Sequence, residues 1–143
     1  TVDDSGETEL EAGTVANVHK MLGAAVPLGL TSLTVPVFSG LSASLHLRTT
    51  KKVMPEVVAQ VLQDGGLKVD NSATPGVVPR PRRVEGHPFV HAGRIRTDAL
   101  GHHLYMWVGM DNLRATATVA VGCCAALLRR EIAAAKEAQS AKE

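Results

Sequence analysis

A chain of 143 residues is the size of one ordinary domain, long enough to bury a core without disulfides or metal. Its 45% hydrophobic and 20% charged residues fall in the globular range, and a formal net charge of +1 exerts no general pull on nucleic acid or on a membrane surface. Aromatics at 3% supply almost no stacking platforms for bases, so the core has to be built from Val, Leu, Ala and Ile.

The chain opens on Thr1 rather than Met, which reads as a processed or trimmed product. Residues Thr1 to Ala12 carry five acids and no bases, the composition of a solvated, disordered lead-in and not that of a basic-then-apolar secretory leader. Residues 13–138 are then expected to form the domain, with 139–143 as a tail. Val15, Val18, Met21 and Leu22 recur at helical spacing over Gly13 to Leu22, and Gly23 stops the helix. Leu30 to Phe38 is β-branched and apolar and reads as a strand. After a Ser39-Gly40 turn, Leu41, Ala43, Leu45 and Leu47 alternate with Ser42, Ser44, His46 and Arg48, which predicts a strand with the apolar set facing the core. Val53 to Leu62 reads as a helix with Pro55 in its first turn, closed by Asp64-Gly65-Gly66 and followed by a short strand at Leu67 to Val69. Asp70 to Gly86 is a long Pro- and Gly-containing loop with the run Arg80-Pro81-Arg82-Arg83. Phe89 to Arg96 and His103 to Met110 are strands, and Ala99-Leu100-Gly101 between them predicts a hairpin. A final helix runs from Asn112 to about Lys136, with an apolar stripe of Leu113, Ala117, Ala120, Cys124, Leu127 and Leu128. Strands outnumber crossover helices, so the order predicts an α+β fold, an antiparallel or mixed sheet with helices packed on one face.

The reactive residue types are sparse. No Gly-x-Gly-x-x-Gly follows a strand and no Walker loop is present, so these residues carry no familiar nucleotide motif. No apolar run reaches the ~18 residues of a membrane span. Cys123 and Cys124 are adjacent, which excludes a disulfide scaffold and points to a reducing compartment, the cytoplasm or an organelle matrix. Inside a helix, away from its N-terminus, they read as buried, inert thiols. His87 and His91, or His102 and His103, have no Cys or carboxylate at complementary spacing, so no metal site is expected. Arg80, Arg82, Arg83, Arg94 and Arg96 are the one basic concentration. Without interleaved aromatics they read as a solvated loop and a polar strand face, partly paired to Glu85 and Asp98, and nucleic acid is not an expected partner.

Three ordered stretches resemble the aspartate-semialdehyde dehydrogenase family. Thr34-Val35-Pro36-Val37-Phe38-Ser39-Gly40-Leu41-Ser42 is similar to its Arg-Val-Pro-Val-Phe-x-Gly-His-Ser segment. Val90-His91-Ala92-Gly93-Arg94-Ile95-Arg96-Thr97-Asp98 is similar to its Val-x-Val-Gly-Arg-Ile-Arg-x-Asp strand. Met106-Trp107-Val108-Gly109-Met110-Asp111-Asn112-Leu113-Arg114 is similar to its Trp-Val-x-x-Asp-Asn-Leu-Arg entry into the last helix. The resemblance covers roughly residues 14 to 132. It implies the family's C-terminal, mixed α+β substrate and dimerisation domain, without the NADP-binding domain that carries the catalytic cysteine. No cofactor is then expected on this chain, and NADP only if a cofactor domain is supplied.

The resemblance also implies where the chemistry should be. The family's substrate-carboxylate Arg and its general acid/base His fall at Thr34 and Leu41. Thr lacks the bidentate fork of Arg, and Leu cannot carry a proton. The Glu and Lys that contact substrate fall at Asn17 and Lys20, and a polar residue near the nicotinamide falls at Asn112. The Lys and Gly that commonly follow the last motif are Ala115 and Thr116. The expectation is a degenerate, catalytically silent relative acting as a homodimer or in a heteromeric protein complex. The alternative is the substrate-binding half of an NADP-dependent reductase assembled with a separate cofactor domain.

Overall fold

The computed structural model describes residues 6–23, 26–70 and 78–140. The start of the acidic lead-in, residues 71–77 of the long loop and residues 141–143 lie outside the described residues. The chain divides at Pro36 into two units, Thr1–Pro36 and Val37–Glu143.

The first unit holds helix α1, Glu9–Leu22. It begins four residues earlier than the apolar spacing predicts, because Thr8 and Glu11 form a capping box. The Glu11 carboxylate accepts from Thr8 N and Thr8 Oγ1, both at 2.8 Å, and the Glu11 amide donates to Thr8 Oγ1 at 3.3 Å. The acids of the lead-in thus include two, Glu9 and Glu11, that favour the positive end of the helix. Gly23 at φ 63 closes α1 as expected. The segment after it corrects the strand reading of Leu30 to Phe38, which has no ladder partner among the described residues. Its Ser32 amide donates instead to Glu11 Oε1 at 2.5 Å, and Pro36 has no amide to donate.

The second unit is a four-stranded mixed sheet in the order β1-β4-β3-β2. The strands are β1 Leu41–Arg48, β2 Lys68–Asp70, β3 His91–Thr97 and β4 His103–Met110, and helix α2, Pro55–Asp64, joins β1 to β2. β4 pairs antiparallel with both β1 and β3, while β2 pairs parallel with β3. β1 and β2 therefore hold the two edges, and the connection through α2 crosses the whole sheet. The β3–β4 hairpin is closed by Asp98, whose Oδ1 accepts from the amides of His102 and His103, both at 2.9 Å. Asp98 is thereby engaged by backbone, and Gly101 at φ 77 completes the turn.

The core lies between the sheet and α2. Ile95, Leu104 and Met106 are buried, with Val53, Val58, Ala59, Leu62, Val69 and Val108 packed around them. A bulge in β3 makes this possible. Arg94 sits at φ 53, and the register slips between Gly93 and Arg96. That extra residue lets Ala92 and Ile95, three apart, both point inward. In β1, Leu41, Ala43, Leu45 and Leu47 lie opposite Met110, Val108, Met106 and Leu104, so they share the core-facing side. They are not sealed there. Leu41, Leu45 and Leu47 keep 47%, 38% and 43% of their surface exposed, because α2 packs against β2 and β3 and leaves the β1 edge uncovered.

The opposite face is polar and aromatic. It carries Ser44, His46 and Arg48 of β1, Tyr105 and Trp107 of β4 and Arg96 of β3. One end is crossed by Pro79 and the one-turn helix α3, Pro81–Val84, with Pro79 and Val84 fully buried. Two glycines make the crossing possible. A Cβ on Gly109 would lie 2.5 Å from Pro79 O, and one on Gly93 would lie 2.9 Å from Pro79 Cδ as well as 2.7 Å from Asp70 O on the neighbouring strand. Trp107 Nε1 donates to the same Pro79 carbonyl at 3.0 Å.

Helix α4, Asn112–Ser140, closes the chain and runs into the expected tail. Ala115 is buried and Ala125 half-buried, and the other described side chains of α4 are exposed. The stripe residues Leu113, Leu127 and Leu128 are 72%, 62% and 63% exposed. Cys123 and Cys124 are therefore exposed free thiols, which corrects the reading of buried ones. The physical reason is that α4 leaves the sheet after its first turn. No helix among the described residues is long and apolar enough to cross a membrane.

Candidate functional site

The candidate residues divide between the two units. Asn17 and Lys20 stand three apart on α1, hence on one side of it, and both are exposed. Thr34 is exposed in the segment that follows, which is tied to α1 by Glu11 to Ser32 and by His19 Nε2 to Val26 O at 2.7 Å. Glu11 is buried, and the Thr8 and Ser32 amides hold its carboxyl below the usual range.

Leu41 and Asn112 come together in the second unit. Leu41 is the first residue of β1 and pairs with Met110, the last residue of β4, two residues before Asn112. Asn112 Oδ1 accepts from the Gly40 amide at 2.9 Å, a link across 72 residues. Gly40 adopts φ 103, and a Cβ there would meet Pro81 Cβ at 3.1 Å, so the turn into β1 requires glycine. Asn112 thus fixes the backbone at the residue before Leu41. At the position itself stands an alkyl side chain with nothing to protonate.

Asp111 organises the same corner and was not singled out by the sequence reading. It is 6% exposed and caps α4, with Oδ1 accepting from Leu113 N at 3.0 Å and Arg114 N at 2.9 Å. Its Oδ2 accepts from Gly86 N at 2.8 Å, tying the exit of α3 to the start of α4. The Arg114 amide, then that of Gly86, holds this carboxyl below its ordinary value. The available signal was the Asp immediately before a helical stripe, an ordinary N-cap cue. Beside this corner a groove of about 560 Å³ runs along the first turns of α4, lined by Pro88, Leu113, Arg114, Ala117, Thr118 and Val121.

Arg96 lies over the Tyr105 ring, 5.0 Å from its centroid, and donates to Arg94 O at 3.3 Å, while Arg82 and Arg83 are exposed on α3. His87 meets His91 edge-on at 5.4 Å, and His91 Nδ1 lies 3.6 Å from Asp70 Oδ2. Among the described residues no three His, Cys, Asp or Glu side chains converge to hold a metal.

The comparisons with known proteins agree with this architecture. The family model of the semialdehyde dehydrogenase dimerisation domain matches residues 1–115. Aspartate-semialdehyde dehydrogenase of Aquifex aeolicus is 35% identical over 109 residues, which is 74% of this chain and 32% of that protein. The Rickettsia conorii enzyme is 30% identical over 116 residues, 79% of this chain and 34% of the relative. The crystal structure of aspartate semialdehyde dehydrogenase II from Vibrio cholerae superposes with a TM-score of 0.78 at 28% identity, covering 91% of this chain and 39% of that one. The chain spans about a third of the length of the curated relatives it matches, and that third corresponds to the dimerisation domain and not to the cofactor domain. The mixed sheet, the ordered motifs and the family match together place this chain in the semialdehyde dehydrogenase dimerisation-domain family.

Proposed function

We propose that this chain is a non-catalytic semialdehyde dehydrogenase-like dimerisation and interaction domain, working as a homodimer or as a subunit of a larger protein assembly. The observation that carries the reading is Leu41 at the start of β1, where the family resemblance calls for the general acid/base. A residue that cannot exchange a proton removes about a hundred- to ten-thousand-fold of rate from such a reaction. Thr34 in place of a carboxylate-binding Arg compounds the loss. Asn112 keeps a structural task, holding Gly40, that does not require a cofactor. Two exposed thiols on α4 suit a reducing compartment, the cytoplasm or an organelle matrix.

The second reading is the substrate-binding half of an NADP-dependent reductase whose cofactor domain is supplied separately. Lys20 and Asn112 favour it, since both match family positions that face substrate or nicotinamide. One experiment separates the two. The domain is grafted onto the intact cofactor domain of the Aquifex aeolicus relative, and NADP-linked turnover of aspartate semialdehyde is measured. No turnover is expected from the unmodified chimera, with activity emerging on Thr34→Arg combined with Leu41→His. Robust turnover by the unmodified chimera overturns the non-catalytic reading in favour of the second.

A further inference from the structure

The end of the polar sheet face away from Pro79 brings together two histidines 57 residues apart in sequence. His46 of β1 pairs with Tyr105 and His103 of β4 pairs with Arg48, so the two are diagonal neighbours on adjacent antiparallel strands. His46 Nε2 lies 2.8 Å from His103 Nδ1. The ring centroids are 5.1 Å apart with planes inclined by 22°. A nitrogen separation so much shorter than the centroid separation, between nearly parallel planes, sets the rings edge to edge and not face to face. The facing nitrogens then direct their in-plane lone pair and N–H into a common gap.

The His46 ring and the His103 backbone are each held by neighbours. His46 is stacked on Tyr105, with centroids 4.6 Å apart and planes within 5°. Tyr105 is flanked from β3 by Arg96. The His103 backbone is held at both polar groups by Asp98, whose Oδ1 accepts its amide and whose own amide donates to its carbonyl at 3.0 Å.

We propose that His46 and His103 form a two-imidazole site for a divalent transition-metal ion of the zinc and copper class. Neutral imidazole nitrogen is an ordinary ligand for these ions, at about 2.0–2.1 Å for zinc. Two bonds of that length at a tetrahedral angle hold the nitrogens about 3.3–3.4 Å apart, so the rings separate from their present 2.8 Å and turn until both lone pairs meet the ion. The proton now shared between the rings moves to the other nitrogen of the ring that carries it. This changes a tautomer, releases no proton and frees both facing lone pairs. The pair supplies two donors, and water or donors from a second copy fill the other positions. Arg48 and Arg96 on the same face oppose a cation, which selects ions with strong nitrogen affinity. Magnesium and calcium, which require oxygen donors, are excluded.

The test is titration of the full chain with Zn²⁺, in a background of Cys123→Ser and Cys124→Ser so that the exposed thiols do not compete. Calorimetry gives affinity, and ring ¹⁵N resonances of the histidines report where the ion sits. The expected result is saturable binding that shifts the His46 and His103 rings. Affinity should fall by about tenfold or more in His46→Gln and in His103→Gln, and stay unchanged in His87→Ala. Circular dichroism of each variant establishes that it is folded, and the conservative Gln replacements keep a polar group on the strand. Absence of binding, binding that survives both Gln variants, or binding lost in His87→Ala overturns the proposal. Since the readout is binding by this chain alone, its failure is independent of the turnover experiment.

Discussion

Gly109 sits where a single added methyl group has nowhere to go. Its Cβ would lie 2.5 Å from the carbonyl oxygen of Pro79, a backbone atom held by Trp107. Gly109→Ala is therefore expected to destabilise the domain by roughly 1–3 kcal/mol, the ordinary cost of overpacking, as read by urea unfolding. Gly122→Ala, on exposed α4 with nothing near its Cβ, should instead be neutral or stabilising by about 0.5–1 kcal/mol. Asp111 sets a pH dependence. Its carboxyl is held low by the Arg114 and Gly86 amides, so the native state binds fewer protons than the unfolded chain over the acid range. Its contribution is complete above the ordinary aspartate value and lost as pH falls through the depressed one. Acid unfolding of Asp111→Asn should accordingly show a shallower pH dependence than the parent chain. Equal slopes would remove Asp111 from this role. The sequence displayed Asp111 and Gly109 only as members of a motif. Their tasks depend on Gly86 and Pro79, more than twenty residues upstream, and no local pattern announces such partners.

At the level of elements, β1 and β4 were legible because alternation is a direct image of a two-sided strand. The hairpin was legible because Asp98 and Gly101 bracket a turn. The beginning of α1 was not, although Thr8 and Glu11 stand at capping-box spacing, because the acidic composition around them resembles disorder. Leu30 to Phe38 has strand composition, but a strand also needs a neighbour with free hydrogen-bonding groups, and Ser32 meets the Glu11 carboxylate instead. The β3 bulge at Arg94 could not be read, since a one-residue slip leaves no compositional trace. Helix α4 was legible as a helix, and its burial was not. An apolar stripe states that a surface can be covered without stating what covers it. With so little of it packed, α4 beyond its first turns should open locally at little cost. Amide exchange in residues 119–136 is expected to precede exchange in β4, and equal protection would show that α4 is covered in solution.

For the molecule as a whole, the exposed apolar side chains of β1 and α4 are more than an isolated small domain usually leaves in water. Self-association is the expected remedy, and a closed twofold dimer is its commonest form. Sedimentation equilibrium in the micromolar range should show a dimer, and a monomer throughout that range would count against a homodimer. The family and its mixed sheet were legible from three ordered motifs, because those motifs mark the turn into β1, the bulged strand and the cap of α4. Asn17, Lys20, Thr34, Leu41 and Asn112 are singled out by the motif resemblance alone. The Asn112 contact with Gly40 was not legible, for it needs the β1–β4 register. The Pro79 crossing has one more consequence. A peptide lying flat on a sheet divides it, and the glycine slot fixes where the division falls. Any flat partner approaching the polar face meets a step at Gly93 and Gly109 and level ground at His46, Tyr105 and Arg96. The footprint available on that side is thereby shifted toward the hairpin end, so that two methyl-free positions govern which half of the sheet another molecule can touch.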